Sequence, residues 1–262
     1  MLKFYKYHGA GNDLIIIDNM NGKLVLSKKQ VVLLCDRHKG IGADGLILVE
    51  SRENADCFMN YYDSDGSIKE MCGNGIRCVA KFFTEQKNFS MEELLVATRA
   101  GVKKVICNDD GSFSVNMGTP VFSHNDFPNG PLTLENISFD FASMGNPHAV
   151  GIVKDLNQIS LLEIGPRVEN DPHFPNKINV ELVEKVGDDY FKVIVWERGG
   201  FPTLACGSGA CAVYAILKNE NKDMGEVTLQ FPGGNLHLSQ NDEGQIILRG
   251  PAEFVFEGTI NL

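Results

Sequence analysis

No apolar run in this 262-residue chain approaches the ~18 residues of a membrane-spanning helix. The opening MLKFYKYHGAGND lacks the long apolar core and small-residue cleavage site of a secretory signal. The expected location is therefore cytoplasmic, with no membrane partner. Basic residues are scarce as well: 24 Lys and Arg stand against 34 Asp and Glu, for a formal net charge of −10. That is the wrong sign for gripping a phosphate backbone, so nucleic acid is excluded as an expected partner. An even cysteine count is also missing. The seven cysteines (Cys35, Cys57, Cys72, Cys78, Cys107, Cys206 and Cys211) are expected as reduced thiols rather than as a full disulfide framework. What is present is 43% apolar residues, enough for a sizeable core in one large domain or two ordinary ones.

No Ser/Gly or Pro tract marks a linker, but the chain repeats itself. Gly11-Asn12 in HGAGND and Gly145-Asn146 in SMGNPHAV lie 134 positions apart, as do Cys72 and Cys206, and Val49-Glu50 and Val183-Glu184. Gly118 and Gly250 are 132 apart. Landmarks in one order at one spacing indicate a duplicated unit. The expected halves are residues 1–119, carrying Cys72, and 120–262, carrying Cys206, joined near Pro120 to Phe127, with the extreme C-terminus free to return to the first half. Short alternating runs such as SFSVNMG and YFKVIVW, with turns DDG and DEG between them, predict strands. Helices are few. The clearest, GIRCVAKFFTEQ and GACAVYAILKN, are apolar on more than one face, which suits a helix enclosed by sheet. The expected fold class is α/β (α+β): two pseudo-symmetric halves, each a curved, largely antiparallel, barrel-like sheet around a central helix.

Each of these helices follows a cysteine and a run of small residues, CGNG at Cys72 and CGSG at Cys206. At a helix N-terminus the first-turn amides have no intrahelical acceptor and bind anions, so the amides of Gly73-Asn74-Gly75 and Gly207-Ser208-Gly209 are expected to be free to bind an anion. The positive end of the helix dipole lowers a thiol pKa and is expected to poise each sulfur near the thiol/thiolate balance. A pair of such thiols suits removal and return of a proton at carbon. The plainer reading, a small core residue, is assigned to Cys35, Cys57 and Cys107, and Cys78 and Cys211 are similar. Zinc is disfavoured because Cys72 to Cys78 and Cys206 to Cys211 exceed the usual ligand spacing. GAGND is a weak dinucleotide signal, incomplete and with no apolar strand of useful length before it.

With KYHGAGND, GIGADGLI, DGSIKEMCGNGIRC, GNPH and WERGGFPTLACGSGACA in this order, the chain resembles the diaminopimelate epimerases from residue 3 to about residue 258. The resemblance implies two similar halves with the active site in the cleft between them, no cofactor and no metal, and a small amino-acid substrate. It implies that Cys72 and Cys206 are the two-base pair, that Gly73, Asn74, Gly207 and Ser208 hold the reacting carboxylate, and that Asn12, Asn146 and Asn179 grip the substrate. Glu197 is matched to an amino group, Arg198 to the distal carboxylate, and His148 to a histidine supporting the site. His8 is read as structural. Relatives are often homodimers. Three places depart from the family pattern: Asp63 stands where Asn is typical, Phe201-Pro202 where Gly-Glu is common, and Gly45 where some members carry a polar side chain. Asp63 lies 134 positions before Glu197, so it also joins the candidate substrate contacts. The leading expectation is epimerisation of LL- and meso-diaminopimelate. The alternatives are a cofactor-independent racemase of another amino acid, such as histidine, and a binding protein without catalysis.

Overall fold

Two strands can pair in parallel only if the chain crosses over between them, and here helices make the crossovers at matching places in two units. The structure, a computed structural model, describes residues 1–87 and 92–261. One unit comprises Met1–Val115 with Gly250–Leu262, the other Asn116–Arg249. From the N-terminus the elements are β1 (Leu2–Gly9), β2 (Asn12–Asn19), α1 (Lys28–Cys35), β3 (Gly45–Glu50), β4 (Cys57–Asp63), α2 (Gly73–Gln86), β5 (Glu93–Thr98), β6 (Gly101–Cys107) and β7 (Phe113–Gly118). There follow β8 (Leu132–Leu134), β9 (Ile137–Ser143), β10 (Pro147–Val153), α3 (Leu161–Glu169), β11 (Asn179–Lys185), β12 (Tyr190–Glu197), β13 (Phe201–Thr203) and α4 (Gly207–Glu220). The chain ends with β14 (Val227–Phe231), β15 (Gly234–Gln240), β16 (Ile246–Gly250) and β17 (Glu253–Ile260).

In the first unit the strands run β17, β1, β2, β3, β4, β5, β6, β7, all antiparallel except β2 with β3 and β4 with β5. In the second they run β8, β9, β10, β11, β12, β14, β15, β16, all antiparallel except β10 with β11 and β12 with β14. Helices α1 and α3 bridge the first parallel pair of each unit, α2 and α4 the second. The mixed α/β, sheet-dominated architecture agrees with the expectation from the sequence. Helix α2 packs on β1, β2, β17 and β6, and α4 on β9, β10, β11 and β15, so each sheet bends around its own helix.

The strands between the helices have no solvent face. Ile15, Ile17, Leu46 and Leu48 pack outward with Val31 and Leu34 of α1. Period-two alternation turns Leu14 and Ile47 inward, against Gly75 of α2. Strands covered on both sides read as continuous apolar runs, and β2 and β3 do so. In the second unit Ala149, Val180 and Leu182 pack outward with Val168 of α3, while Glu181 turns inward against Gly209.

Two expectations need correction. A strand does precede GAGND: β1 buries Phe4, Tyr5, Lys6 and Tyr7, and Ala10-Gly11 is the turn of the β1–β2 hairpin, with φ of 51° and 81°. The polar Lys6 and Tyr7 within the run hid it. Cys107 is only half-buried, whereas Cys35, Cys57, Cys78 and Cys211 are buried. Burial pushes the thiols of Cys35, Cys57 and Cys78 up to about 12. Among the described residues, no helix is long and apolar enough to cross a membrane.

Candidate active site

Cys72 is the N-cap of α2, in extended conformation, and its Sγ accepts the N–H of Gly75 at 3.2 Å. Cys206 is the N-cap of α4 in the same conformation, and its Sγ accepts the N–H of Gly209 at 3.4 Å. A sulfur takes the place of the usual hydroxyl or carboxylate cap. The next amides, Ile76 and Ala210, bond the cysteine carbonyls at 2.9 Å. Contrary to expectation, the amides of Gly75 and Gly209 are not free for an anion, because the cysteine sulfurs take them; Gly73, Asn74, Gly207 and Ser208 remain in the turn whose amides point out of the helix.

The surroundings of the two sulfurs differ. In the first unit Cys72 donates to Asn12 Oδ1 at 3.7 Å, and Asn12 donates in turn to Asp44 at 3.0 Å. Arg37 reaches Asp13 at 2.6 and 2.9 Å and Asp44 at 2.8 Å, and Lys6, almost wholly buried, pairs with Asp13 at 2.6 Å. Burial works to raise the Asp13 carboxyl, but the hydrogen bonds from Arg37 and Lys6 outweigh it and hold the group well below the usual carboxylate range. Burial, followed by the charge of Asp13, raises Asp44. Asn12 thus projects from a braced ionic cluster. Asn74 is braced differently: its Oδ1 accepts from Arg77 at 2.8 Å, and Arg77, with no exposure, also bonds Gly73 O and Pro251 O. The side chain of Asn74 is committed to Arg77, so the expectation for Asn74 rests on its backbone amide. Asp63, at the end of β4, caps the amide of Ser64 at 2.9 Å and pairs with Lys69 at 3.3 Å.

In the second unit Cys206 lies 3.4 Å from Ser208 Oγ. Burial above all, then the charges of Glu197 and Glu181, pushes its thiol well up, against smaller opposing contributions from Ser208 and Gly209. The sequence expectation that the helix terminus poises each sulfur near balance fails for Cys206, because desolvation exceeds the dipole effect. His148 Nδ1 lies 2.7 Å from Glu181 Oε1, and neither side chain has any exposure. Asn146 sits half-buried in the turn before β10. Asn179 uses both ends of its amide, donating to Pro147 O at 2.8 Å and accepting from the Arg198 N–H at 2.9 Å.

Glu197 and Arg198 lie at the β12–β13 hairpin, whose turn includes Gly199 and Gly200 at φ of 118° and 102°. Glu197 Oε1 accepts from Thr203 at 2.6 Å, and the exposed Arg198 donates to Asn176 O at 3.3 Å. Glu169, 1% exposed, ties this turn down, accepting from Trp196 Nε1 at 2.8 Å, Gly199 N at 2.9 Å and Lys177 at 3.3 Å. Glu169, Glu181, Arg77 and the Asp13–Arg37–Asp44 cluster escaped the sequence reading. For Glu181 a signal existed: position 47, its counterpart 134 residues earlier, is isoleucine.

Comparison with known proteins identifies the family of the chain. A diaminopimelate epimerase family model matches residues 4–123 and 141–255. The chain belongs to that family. The diaminopimelate epimerase of Synechococcus elongatus is 39% identical over 276 residues, spanning 100% of this chain and 99% of its own. That of Acaryochloris marina is 40% identical over 276 residues, spanning 98% of each. Among solved structures, a phenazine biosynthesis protein of the PhzF family from Bacillus anthracis superposes with a TM-score of 0.77 at 18% identity, over 100% of this chain and 99% of its own. That likeness carries the fold. The structure gives a local cause for one of the three positions singled out from the sequence. A Cβ at Gly45 would meet the Tyr61 ring at 2.6 Å, so no side chain fits there. Phe201 and Pro202 form β13, paired with Glu197 and Trp196.

Proposed function

We propose that this protein, an isomerase of the diaminopimelate epimerase family, interconverts LL- and meso-2,6-diaminopimelate for lysine and peptidoglycan synthesis by moving the α-proton between Cys72 and Cys206. The observation that carries the reading is the repeated cap: one cysteine per unit, each opening the helix inside its sheet, with its sulfur on the amide three residues on. One thiolate removes the proton, and the other sulfur, as a thiol, protonates the opposite face, so the centre inverts. Cys206, whose burial keeps its proton on, begins as the acid. Its partner Cys72 acts as the base, and the roles exchange in the reverse direction.

The first-turn amides of Gly73, Asn74, Gly207 and Ser208 stabilise the substrate carboxylate as it takes on enolate character, the use to which preorganised N–H donors are best suited. Arg198 offers a planar fork to the distal carboxylate, Glu197 an acceptor to an amino group, and Asn12, Asn146, Asn179 and Asp63 polar contacts, with His148 supporting the Cys206 side. No cofactor enters these steps. We place the enzyme in the cytoplasm, where its thiols stay reduced, and propose a homodimer. The dimer is supported by β17, where Phe254, Val255 and Phe256 stand 40%, 49% and 44% exposed in sequence, apolar side chains that a second copy of the chain would cover.

The test is deuterium uptake at Cα in D2O across a panel of amino acids, for the wild type and the Cys72→Ala and Cys206→Ala variants. Loss of an acid/base group costs about 10²–10⁴-fold, and each variant is expected to lose at least that in both directions of epimerisation while remaining folded. Diaminopimelate turnover within tenfold of wild type in either variant, or faster exchange of another amino acid, would overturn the proposal.

A further inference from the structure

The two cysteine caps are built alike but floored differently. Leu14 in β2 is level with Gly45 in β3, and His148 in β10 is level with Asn179 in β11. Each member of the second pair lies 134 residues after its counterpart. His148 therefore stands where Leu14 stands, and Glu181 where Ile47 stands. The glycine above each floor confirms the match. A Cβ on Gly75 would meet Ile47 Cδ1 at 3.0 Å and Leu14 Cδ1 at 3.3 Å, and a Cβ on Gly209 would collide with Glu181 Oε1. An apolar pair thus lies beneath the Cys72 cap and a hydrogen-bonded acid–imidazole pair beneath the Cys206 cap.

That exchange is costly for packing alone. His148 Nε2 and Glu181 Oε2 are buried without a hydrogen-bond partner among the described residues, a desolvation loss that leucine and isoleucine avoid in the other unit. A carboxylate accepts only, so Nδ1 carries the hydrogen of the 2.7 Å bond. We propose that Glu181 is a positioning residue: it fixes the tautomer and orientation of His148 and with it sets the charge environment of Cys206 alone, so the two cysteines of the repeat are not interchangeable. This rests on the two-thiol reading above. Glu181 is among the groups that push the Cys206 thiol up, after burial and Glu197. The titratable groups near the Cys206 end of α4 include Glu197 from β12, Glu181 from β11 and His148 from β10. Strand β9 adds Asp140, level with Val150, whereas His237 of β15 alternates with the buried Leu236 and Leu238 and bonds Thr228 on the other face of its strand.

The test titrates each catalytic thiol by its thiolate absorbance, with Cys206→Ser and Cys72→Ser as the respective blanks, in the wild type, in Glu181→Gln and in the double variant His148→Leu/Glu181→Ile. The double variant installs the pair that the first unit already accommodates, so it is expected to fold with a Tm at or above that of wild type. Both variants are expected to move the Cys206 titration down by at least about one pH unit, a tenfold change in thiolate at fixed pH. Cys72 should stay in place, and the pH profile of α-proton exchange should shift with Cys206. An unmoved Cys206 titration, an equal shift at Cys72, or a double variant that does not fold would each overturn the proposal. The titrations need no turnover, so a wild type that does not exchange diaminopimelate would sink the functional reading while leaving this inference to its own test.

Discussion

Glu169→Gln probes the turn that carries Glu197 and Arg198. Glu169 Oε2 takes the indole N–H of Trp196, while Oε1 takes the amide of Gly199 and the ammonium of Lys177, all within 3.3 Å. A carboxamide has a single acceptor oxygen. Whichever way it turns, its NH2 faces a donor, and a buried N–H loses its partner. Hydrogen bonds to a charged group are worth about 1.5–3 kcal/mol, and an orphaned buried donor costs about 1–3 kcal/mol, so a loss of roughly 2–3 kcal/mol is expected. At about 2–4 °C per kcal/mol for a chain of this class, the Tm should fall by roughly 4–12 °C. Arg198 keeps its main-chain bond to Asn179, so the turn loosens without being lost. Arg198 is proposed to bind the distal carboxylate in ground and transition states alike, so KM for diaminopimelate should rise about tenfold with kcat within about threefold. Burial raises the Glu169 carboxyl, but Trp196, Gly199 and Lys177 more than offset this and lower it. A depressed folded-state pKa gives stability that is present above the unfolded value, near 4.3, and lost as pH falls. The Tm gap between wild type and variant should therefore be full at pH 7 and shrink below about pH 4. The assay is thermal unfolding across pH beside steady-state epimerisation. A fall in kcat at unchanged KM, or a Tm gap that does not narrow in acid, would refute the reasoning.

Three further outcomes follow from the geometry. Gly209→Ala drives a Cβ into the Glu181 carboxylate and should cost about 1–3 kcal/mol by overpacking, with loss of the His148 bond. Gly75→Ala meets Ile47 Cδ1 at 3.0 Å, Cys72 Cβ at 3.2 Å and Leu14 Cδ1 at 3.3 Å, none as close as Glu181 is to Gly209, and should cost less; parallel denaturant melts that rank them the other way would reject the packing argument. Asp63→Asn removes a half-exposed pairing with Lys69 but retains an acceptor for the Ser64 amide, so stability should change by less than about 1 kcal/mol. Its KM should shift modestly with kcat nearly constant, and appearance of diaminopimelate activity only in the variant would show that the native substrate is another amino acid. Asp13, held low by Arg37 and Lys6, contributes stability that is present above about pH 4 and lost as pH falls further. Asp13→Asn should consequently flatten the acid limb of the unfolding profile, and an unchanged limb would show that other carboxylates set it.

What could be read in the sequence and what could not divide along a physical line. The helices after Cys72 and Cys206, the strands SFSVNMG and YFKVIVW and the glycine turns at DDG and DEG depend on local pattern, and each lies where the pattern puts it. The constant spacing of 134 between paired landmarks needed no structure, because duplication preserves order. Glu181, Glu169 and Arg77 were lost for the opposite reason. In NVELVEK the alternation assigns Glu181 to a polar face, which on a half-exposed strand would be solvent. Strand β11 has a helix layer on either side, so that face is the interior, and the acid is buried against His148. Arg77 sits in a helix enclosed by sheet, where Gly73 O, Asn74 Oδ1 and Pro251 O accept from its long cation. Pro251 lies 174 residues away, beyond any local window.

The same line separates the two thiols. Their caps are local and therefore identical: CGxG places a sulfur on the third helical amide wherever it opens a helix. Their floors come from strands distant in sequence, and there the copies diverge to leucine and isoleucine in one unit and histidine and glutamate in the other. A pair of thiols with equal surroundings can share one proton, but either sulfur is then as ready as the other to hold it. An acid–imidazole pair beneath a single cap breaks that degeneracy without touching the cap. On the reading proposed above, the asymmetry lies in the floor rather than in the cap: Glu181 adds to the charge around Cys206, while both sulfurs keep the same bond to the third helical amide.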